Sequence, residues 1–353
     1  MRRYIYSLAT DQSNRGIDRI FKVILRGCSL LYKIAVNLRN ILYDRGLFAS
    51  YNVGVPVISI GNITMGGSGK TPLVIFMAQW LQSHGFKPVV LIRGYMNDAT
   101  KDTISDEVKL LNKTLKDVVI LQDPDRVASA RRFLKEDSCD VFILDDGFQH
   151  RKIHRDLNIV AVDMSNPFGN DALIPRGILR EPLGAFRRSD MIVFTRSDLG
   201  QQNIDSVKSR IMGINPRIEF FETVHRPVGF IDLKDCKSYD VSVLKGISAL
   251  AFCAIGNPDG FKGTLKQTGL KIFGFEIYED HHIYTESDIH RLVSQCKKLG
   301  TTALVTTSKD AVKLQTYLDK IPDQIRILYL EITIEVTHGQ EQFNHRINRL
   351  LQR

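Results

Sequence analysis

The sequence predicts an α/β protein: a mostly parallel sheet covered by helices, with a second, smaller α/β domain joined to it through two extended linker strands. Three observations carry this expectation. From Pro56 onward, short β-branched runs alternate with helix-patterned segments, the order of βαβ units. Several of the runs, such as Val141–Leu144 and Met191–Phe194, are continuously apolar, as strands buried on both faces must be. Beyond about residue 220 the texture changes, with long extended segments at Phe220–Leu233 and Ile325–Ile334 enclosing a shorter set of strand and helix patterns.

The first element is helical. Ile17, Ile20, Phe21, Ile24, Leu31, Ile34, Leu38 and Ile41 recur at three- and four-residue steps, the period of one helix face. Arg19, Lys22, Arg26, Lys33 and Arg39 interrupt any longer apolar run. Residues 1–45 therefore read as a basic amphipathic helix suited to an anionic bilayer interface, or else as an ordinary helix packed on the domain. A core domain over 46–225 follows, its strands at Pro56–Ile60, Pro88–Ile92, Val118–Leu121, Val141–Leu144, Asn158–Val162 and Met191–Phe194. Between them lie helices at Thr71–Gln82, near Asp106–Leu111, and at Arg126–Leu134. Residues 226–335 form the linker strands and smaller domain, with strands at Ala249–Ala254, Lys271–Phe275 and Ala303–Thr306. A last helix near Gln340–Leu351, in 336–353, is expected to return to the core domain.

Composition bounds the function classes. With 353 residues, 43% hydrophobic and 25% charged, the chain has material for two domains and is not disordered. Its five cysteines are far apart, without zinc spacing, which argues against a disulfide framework or structural metal. A net charge of +9 suits nucleic acid, an anionic membrane or a phosphorylated substrate alike. No nucleic-acid-reading motif and no aromatics interleaved with a basic run are present, so nucleic acid is not expected as a partner. No signal peptide and no run of ~18–20 apolar residues is apparent, which points to a cytoplasmic location.

The strand ending at Ile60 runs into Gly61-Asn62-Ile63-Thr64-Met65-Gly66-Gly67-Ser68-Gly69-Lys70-Thr71 and then into a helix. Strand, glycine-rich loop, Gly-Lys-Thr and helix in this order are what phosphate binding demands. Glycines admit the phosphates to backbone N–H groups, and the helix N-terminus adds its positive dipole. The core domain is thus P-loop NTPase-like. Thr64, Met65, Gly66, Gly67, Ser68, Gly69, Lys70 and Thr71 are its candidate nucleotide contacts, with Lys70 reaching the β- and γ-phosphates and the Thr71 hydroxyl on Mg²⁺. Thr64 stands where the strict pattern has glycine, but Gly66 and Gly67 keep the turn permissive. A second metal-holding element, a buried strand ending in acids, is supplied by Val141–Leu144 followed by Asp145 and Asp146.

These strings, together with Arg93-Gly94-Tyr95, Asp145-Asp146-Gly147-Phe148-Gln149-His150 and Leu179-Arg180-Glu181-Pro182, resemble the tetraacyldisaccharide 4'-kinase (lipid A kinase) family in order and spacing. Phe252–Pro258, Asp280-His281-His282 and Ser308–Lys313 extend the resemblance through the second domain. It implies Mg²⁺- and ATP-dependent phosphorylation of the 4'-hydroxyl of an acylated disaccharide 1-phosphate at the cytoplasmic face of the inner membrane, which suits the basic helix. It also carries over a general base to Asp106, in Ser105-Asp106-Glu107 where the family usually shows Gly-Asp-Glu, and a histidine partner to His281, with His282 as rival. Gln149, His150 and Arg180 join the nucleotide site, and Glu181 joins Asp145 and Asp146 at the metal. If the second domain supplies His281, domain closure would complete the site. The run Arg176–Arg180 with Arg187 and Arg188 reads as a solvated basic face or as a partner for the substrate's 1-phosphate. A monomer is expected. The rival from another class, a ParA/MinD-like membrane-associated ATPase, would carry lysine where Met65 stands.

Overall fold

Strand β1 (Val57–Gly61) is buried along its whole length, and it is the strand from which the rest of the first sheet is read. The structure, a computed structural model, describes residues 7–11, 13, 18–94 and 105–352. Ile17 of the apolar stripe and Tyr95 of the Arg-Gly-Tyr string lie outside them. The chain divides into two units: Met1–Asp102, Leu115–Val224 and Val336–Arg353 form the first, and Thr103–Thr114 with His225–Glu335 form the second.

In the first unit, β1 runs parallel to β4 (Val141–Asp145) on one side and β5 (Leu157–Asp163) on the other. Beyond β4 come β2 (Pro88–Ile92) and β3 (Val119–Gln122), and beyond β5 come β6 (Met191–Thr195) and β7 (Glu219–Asp232), so the order is β7-β6-β5-β1-β4-β2-β3. β1, β2, β4, β5 and β6 are buried at every position, the burial that their aliphatic runs require. The order places β4, the strand ending in Asp145, beside β1, with Ile60 opposite Asp145. The carboxyl ends of these two strands therefore share one edge, the position where open α/β sheets bind ligands.

The helix following β1, α2 (Lys70–Ser83), buries Leu73, Val74, Met77, Ala78, Trp80 and Leu81. The C-terminal helix, Gln340–Leu351, adds Phe343 and Ile347 to the core of this unit, with the Phe343 ring 5.8 Å from Phe76 and edge-on to Trp80.

Helix α1 (Asp18–Asp44) packs on the first unit through its polar side. Ser29 Oγ donates to the Leu173 carbonyl at 2.8 Å, Tyr32 Oη to the Arg180 carbonyl at 2.9 Å, and Asn40 Nδ2 to Glu181 Oε2 at 2.9 Å. Arg151 donates to the Asn40 carbonyl and to Asp44. Ile20, Phe21, Val23, Ile24, Leu30, Leu31, Ile34, Leu38 and Ile41 point outward, Leu31 being 69% exposed. An ordinary surface helix does the reverse, burying its apolar stripe. Among the described residues no helix is long and apolar enough to cross a membrane.

In the second unit parallel strands run in the order β10 (Lys271–Ile277), β9 (Ser248–Cys253), β11 (Ala303–Thr307) and β12 (Arg326–His338). A short β8 (Ser238–Asp240) pairs antiparallel with the later part of β7. One core cluster, on Phe252, Tyr284, Leu292 and Leu304, and another, on Phe230, Leu265 and Val305, are separate from those of the first unit. Helix α3 (Asp106–Thr114) falls in this unit, interrupting the 46–225 range expected for one domain. Lys113 near its end lies 4.4 Å over the Tyr329 ring of β12, a long-range packing choice that no local pattern announces.

Candidate active site

The nucleotide loop is held from behind by side chains that sequence reading did not single out. Fully buried Asn62 donates through Nδ2 to the Thr64 carbonyl at 2.9 Å and to Ser68 Oγ at 2.8 Å, closing the loop on itself. Its own carbonyl accepts from Gln149 Nε2 at 2.9 Å, and Arg180 Nη1 reaches its Oδ1 at 3.3 Å. Met65 and Arg180 pair backbones across the loop, Met65 N–H donating to Ile178 and Arg180 N–H to Ile63. At the end of β6, Thr195 Oγ1 donates to the Ser68 carbonyl at 2.9 Å, and Arg196, paired with Asp163, donates to the Gly67 carbonyl at 3.1 Å. Drawing these carbonyls aside suits an anion site, because carbonyl oxygens repel phosphate while amides attract it. Gly69 caps the helix at φ 81°, and a Cβ there would also lie 3.2 Å from the Thr195 side chain. Only glycine meets both demands cheaply.

The acids expected beside the loop divide into two kinds. Asp145 is buried at the end of β4, opposite Ile60. Asp146, at φ 48°, accepts from Arg180 Nη1 at 2.8 Å and lies 3.5 Å from Lys70 Nζ. Burial alone would raise its pKa, but Lys70 and Arg180 outweigh that and hold it at about 2. The chain then turns across β1 at Gly147, where a Cβ would sit 2.5 Å from Ser59 Oγ. His150, sunk behind the turn, has its pKa pushed down to about 4 by burial and by the nearby Arg126 and Arg155, so it is neutral at physiological pH.

The donor set fits magnesium. Mg²⁺ prefers hard oxygens and keeps several waters, so one or two carboxylates, a hydroxyl and the phosphates suffice. Thr71, in the first turn of its helix, and Asp145, on the adjacent strand, are donors of that kind. Among the described residues no cluster of three or more His, Cys, Asp or Glu is present, and a site completed by phosphates requires none. Glu181, expected at the metal, is engaged elsewhere. It is fully buried, with Oε1 2.6 Å from Arg188 Nη2 and Oε2 accepting from Asn40. In this structure both of its oxygens are engaged by side chains of the protein, and it anchors α1.

The expected basic face is also largely turned inward. Arg176 is buried against Asp11 and the Leu8 carbonyl, Arg180 is on Asp146, and Arg188 lies over the Phe148 ring and on Glu181. Arg187 is exposed.

A separate group of polar residues lies in the second unit. Asp106 and Glu107 open α3, where the Ser105 hydroxyl caps the Val108 amide. His281 follows β10 with its backbone at φ 62° and its ring largely exposed. The adjacent His282 is stacked on Tyr278 at 4.8 Å, and its Nε2 lies 3.0 Å from Asp288, the residue that completes the capping box of the next helix. Of the two, His282 is committed to packing and His281 is available. Asn62, Thr195, Arg196 and Asp163 escaped the motif search. Their signal was positional, since each sits at or just past the carboxyl end of a parallel strand.

Sheet order, loop and acids define a P-loop NTPase-like protein. The family model described as LpxK, tetraacyldisaccharide-1-P 4'-kinase, matches residues 21–352. A tetraacyldisaccharide 4'-kinase of Syntrophus aciditrophicus is 34% identical, over 94% of this chain and 93% of that protein. One from Elusimicrobium minutum is also 34% identical, over 94% and 91%. The crystal structure of LpxK from Aquifex aeolicus in complex with ATP superposes with a TM-score of 0.71 at 28% identity, over 94% of this chain and 99% of that one. The chain belongs to the tetraacyldisaccharide-1-P 4'-kinase family and is, by that membership, a kinase.

Proposed function

We propose that this chain transfers the γ-phosphoryl group of ATP to the 4'-hydroxyl of an acylated disaccharide 1-phosphate, in lipid A biosynthesis, at the cytoplasmic face of the inner membrane. The observation that carries the reading is the loop from Thr64 to Thr71, braced by Asn62, Thr195 and Arg196, with Lys70 and Arg180 converging on Asp146. Lys70 and the loop amides would bind the phosphates, and Thr71 and Asp145 would hold Mg²⁺, which would offset the phosphate charge. Asp146 keeps the two cations in place until the triphosphate enters. Gln149 supports the loop from behind through the Asn62 carbonyl, and His150 joins the nucleotide site as a neutral ring.

On the acceptor side, the 4'-oxygen attacks the γ-phosphorus, the bond to the β–γ bridging oxygen breaks, and ADP leaves. Asp106 takes the hydroxyl proton and His281 orients the carboxylate. Helix α1 brings the enzyme to its lipid: the outward stripe enters the bilayer interface while Arg19, Arg26 and Lys33 meet anionic headgroups.

The test is Mg·ATP-dependent phosphorylation of the acylated disaccharide 1-phosphate in mixed micelles. Product is expected to carry the label at the 4'-position; folded protein that binds Mg·ATP yet transfers none to this lipid ends the reading. The helix has its own measurement. Replacing Leu31, Ile34 and Leu38 together by serine removes exposed apolar surface worth on the order of 1–2 kcal/mol per residue in the interface. Vesicle flotation is expected to fall at least about ten-fold, with the melting temperature unchanged.

A further inference from the structure

Three segments distant in the chain meet at one ammonium group in the second unit. Lys309, just past β11, places Nζ 3.6 Å from Glu107 Oε1 at the start of α3, 3.9 Å from Asp280 Oδ1 and 3.5 Å from His281 Nε2. Its side chain is 20% exposed, against 32% for Glu107 and 59% for His281, so the ammonium is the most sheltered member of a half-exposed group. His281 is held beside it in a left-handed backbone conformation, its amide donating to Asp280 Oδ1 at 3.1 Å, a geometry unusual for a side chain with a Cβ.

We infer that Lys309 is a positioning residue for the acceptor-side pair: it ties the start of the Asp106 helix to the His281 loop and, by donating to Nε2, leaves the ring its proton on Nδ1. This rests on the reading above, in which Asp106 and His281 serve the acceptor hydroxyl. An ammonium has only donors, so at Nε2 it requires an unprotonated nitrogen. The partner of one imidazole nitrogen decides which nitrogen carries hydrogen. A histidine that orients a carboxylate must present an N–H, and with Nε2 facing Lys309 that N–H is at Nδ1. Lysine suits the place because one compact charge serves two carboxylates and a ring at once. Asp280 would accept from Nε2–H and favour the other tautomer, but its Oδ2 is 3.9 Å away, beyond hydrogen-bond reach, while Lys309 is nearer at 3.5 Å.

The experiment uses the full chain with Lys309→Met and Lys309→Arg, with His281 assigned by His281→Gln. Ring ¹⁵N NMR at alkaline pH, where the imidazole is neutral, is expected to show the Nδ1–H tautomer in the parent and in Lys309→Arg, and reversion toward Nε2–H in Lys309→Met. In the kinase assay Lys309→Met is expected to lower kcat on the order of ten- to a hundred-fold, as loss of an orienting partner does, with Mg·ATP affinity unchanged; Lys309→Arg is expected to recover most of it. A fall in kcat with an unmoved tautomer would mean a merely structural lysine and overturns the inference, as does an unchanged kcat. If the parent does not phosphorylate the lipid, the functional reading fails separately. The ring spectrum then decides alone, an unmoved tautomer overturning the hold of Lys309 on His281 and a changed one supporting it.

Discussion

The nucleotide loop of the first unit and the acid–histidine group of the second are built by different means. The loop is one continuous stretch, Gly61–Thr71, set by the end of a buried strand and braced through backbone carbonyls and a fully buried asparagine at 2.8–3.1 Å. The group containing Asp106 and His281 draws on three segments, with side chains partly in solvent and charged contacts at 3.5–3.9 Å. A backbone-built site is preorganised and little affected by salt. Ionic contacts among half-exposed groups are screened and can rearrange with a ligand. The contrast matches the division of labour proposed for the two units, a fixed cradle for a triphosphate and an adjustable group for a lipid hydroxyl.

The largest test of this contrast is Lys70→Ala, which leaves the cradle but removes the cation at the transferring phosphoryl group. Phosphorylation rates are expected to fall on the order of 10³–10⁵-fold. Asp106→Asn, on the adjustable side, should cost about 10²–10⁴ in kcat while calorimetry returns an unaltered Mg·ATP dissociation constant; weakened nucleotide binding would break the separation of roles. Asn62→Ala is expected to act on both stability and nucleotide affinity, because it strands buried partners, at roughly 1–3 kcal/mol, read by denaturant melts and by calorimetry.

A further effect, no larger than that of Asn62→Ala, is that of pH on the turn behind the loop. His150 has its pKa lowered from 6.5 to about 4, so the folded state favours the neutral ring. The stability this group contributes is complete above pH 6.5 and is lost as pH falls toward 4. Melting temperatures of the parent should drop across that window by the equivalent of up to about 2–3 kcal/mol, and less in His150→Gln.

How far each region could be read in advance follows from the same contrast. The phosphate loop was legible because strand, glycines, lysine, threonine and helix are consecutive, and the adjacent acids end an apolar run. Asn62 was passed over although it lies inside the motif, because its partners Gln149 and Arg180 come from segments about 90 and 120 residues further along the chain. Glu181 was assigned to a metal from a string shared with a family, yet Asn40 and Arg188 engage it. Lys309 lies in the Ser308–Lys313 string of the resemblance, but no role came with it, since its neighbours are some 30 and 200 residues away in the chain.

The sequence by itself determined the α/β class, the phosphate loop and the amphipathic period of α1, because these depend on spacing along a few turns or strands. Which face of α1 meets solvent, which histidine is committed to packing, and which unit owns the Asp106 helix were settled only in the tertiary structure. The physical reason is that each depends on a partner outside its own element: Leu173 and Glu181 for α1 and Tyr329 for the helix that Asp106 begins, all remote in the chain, and for His282 the nearby Asp288 of the next helix.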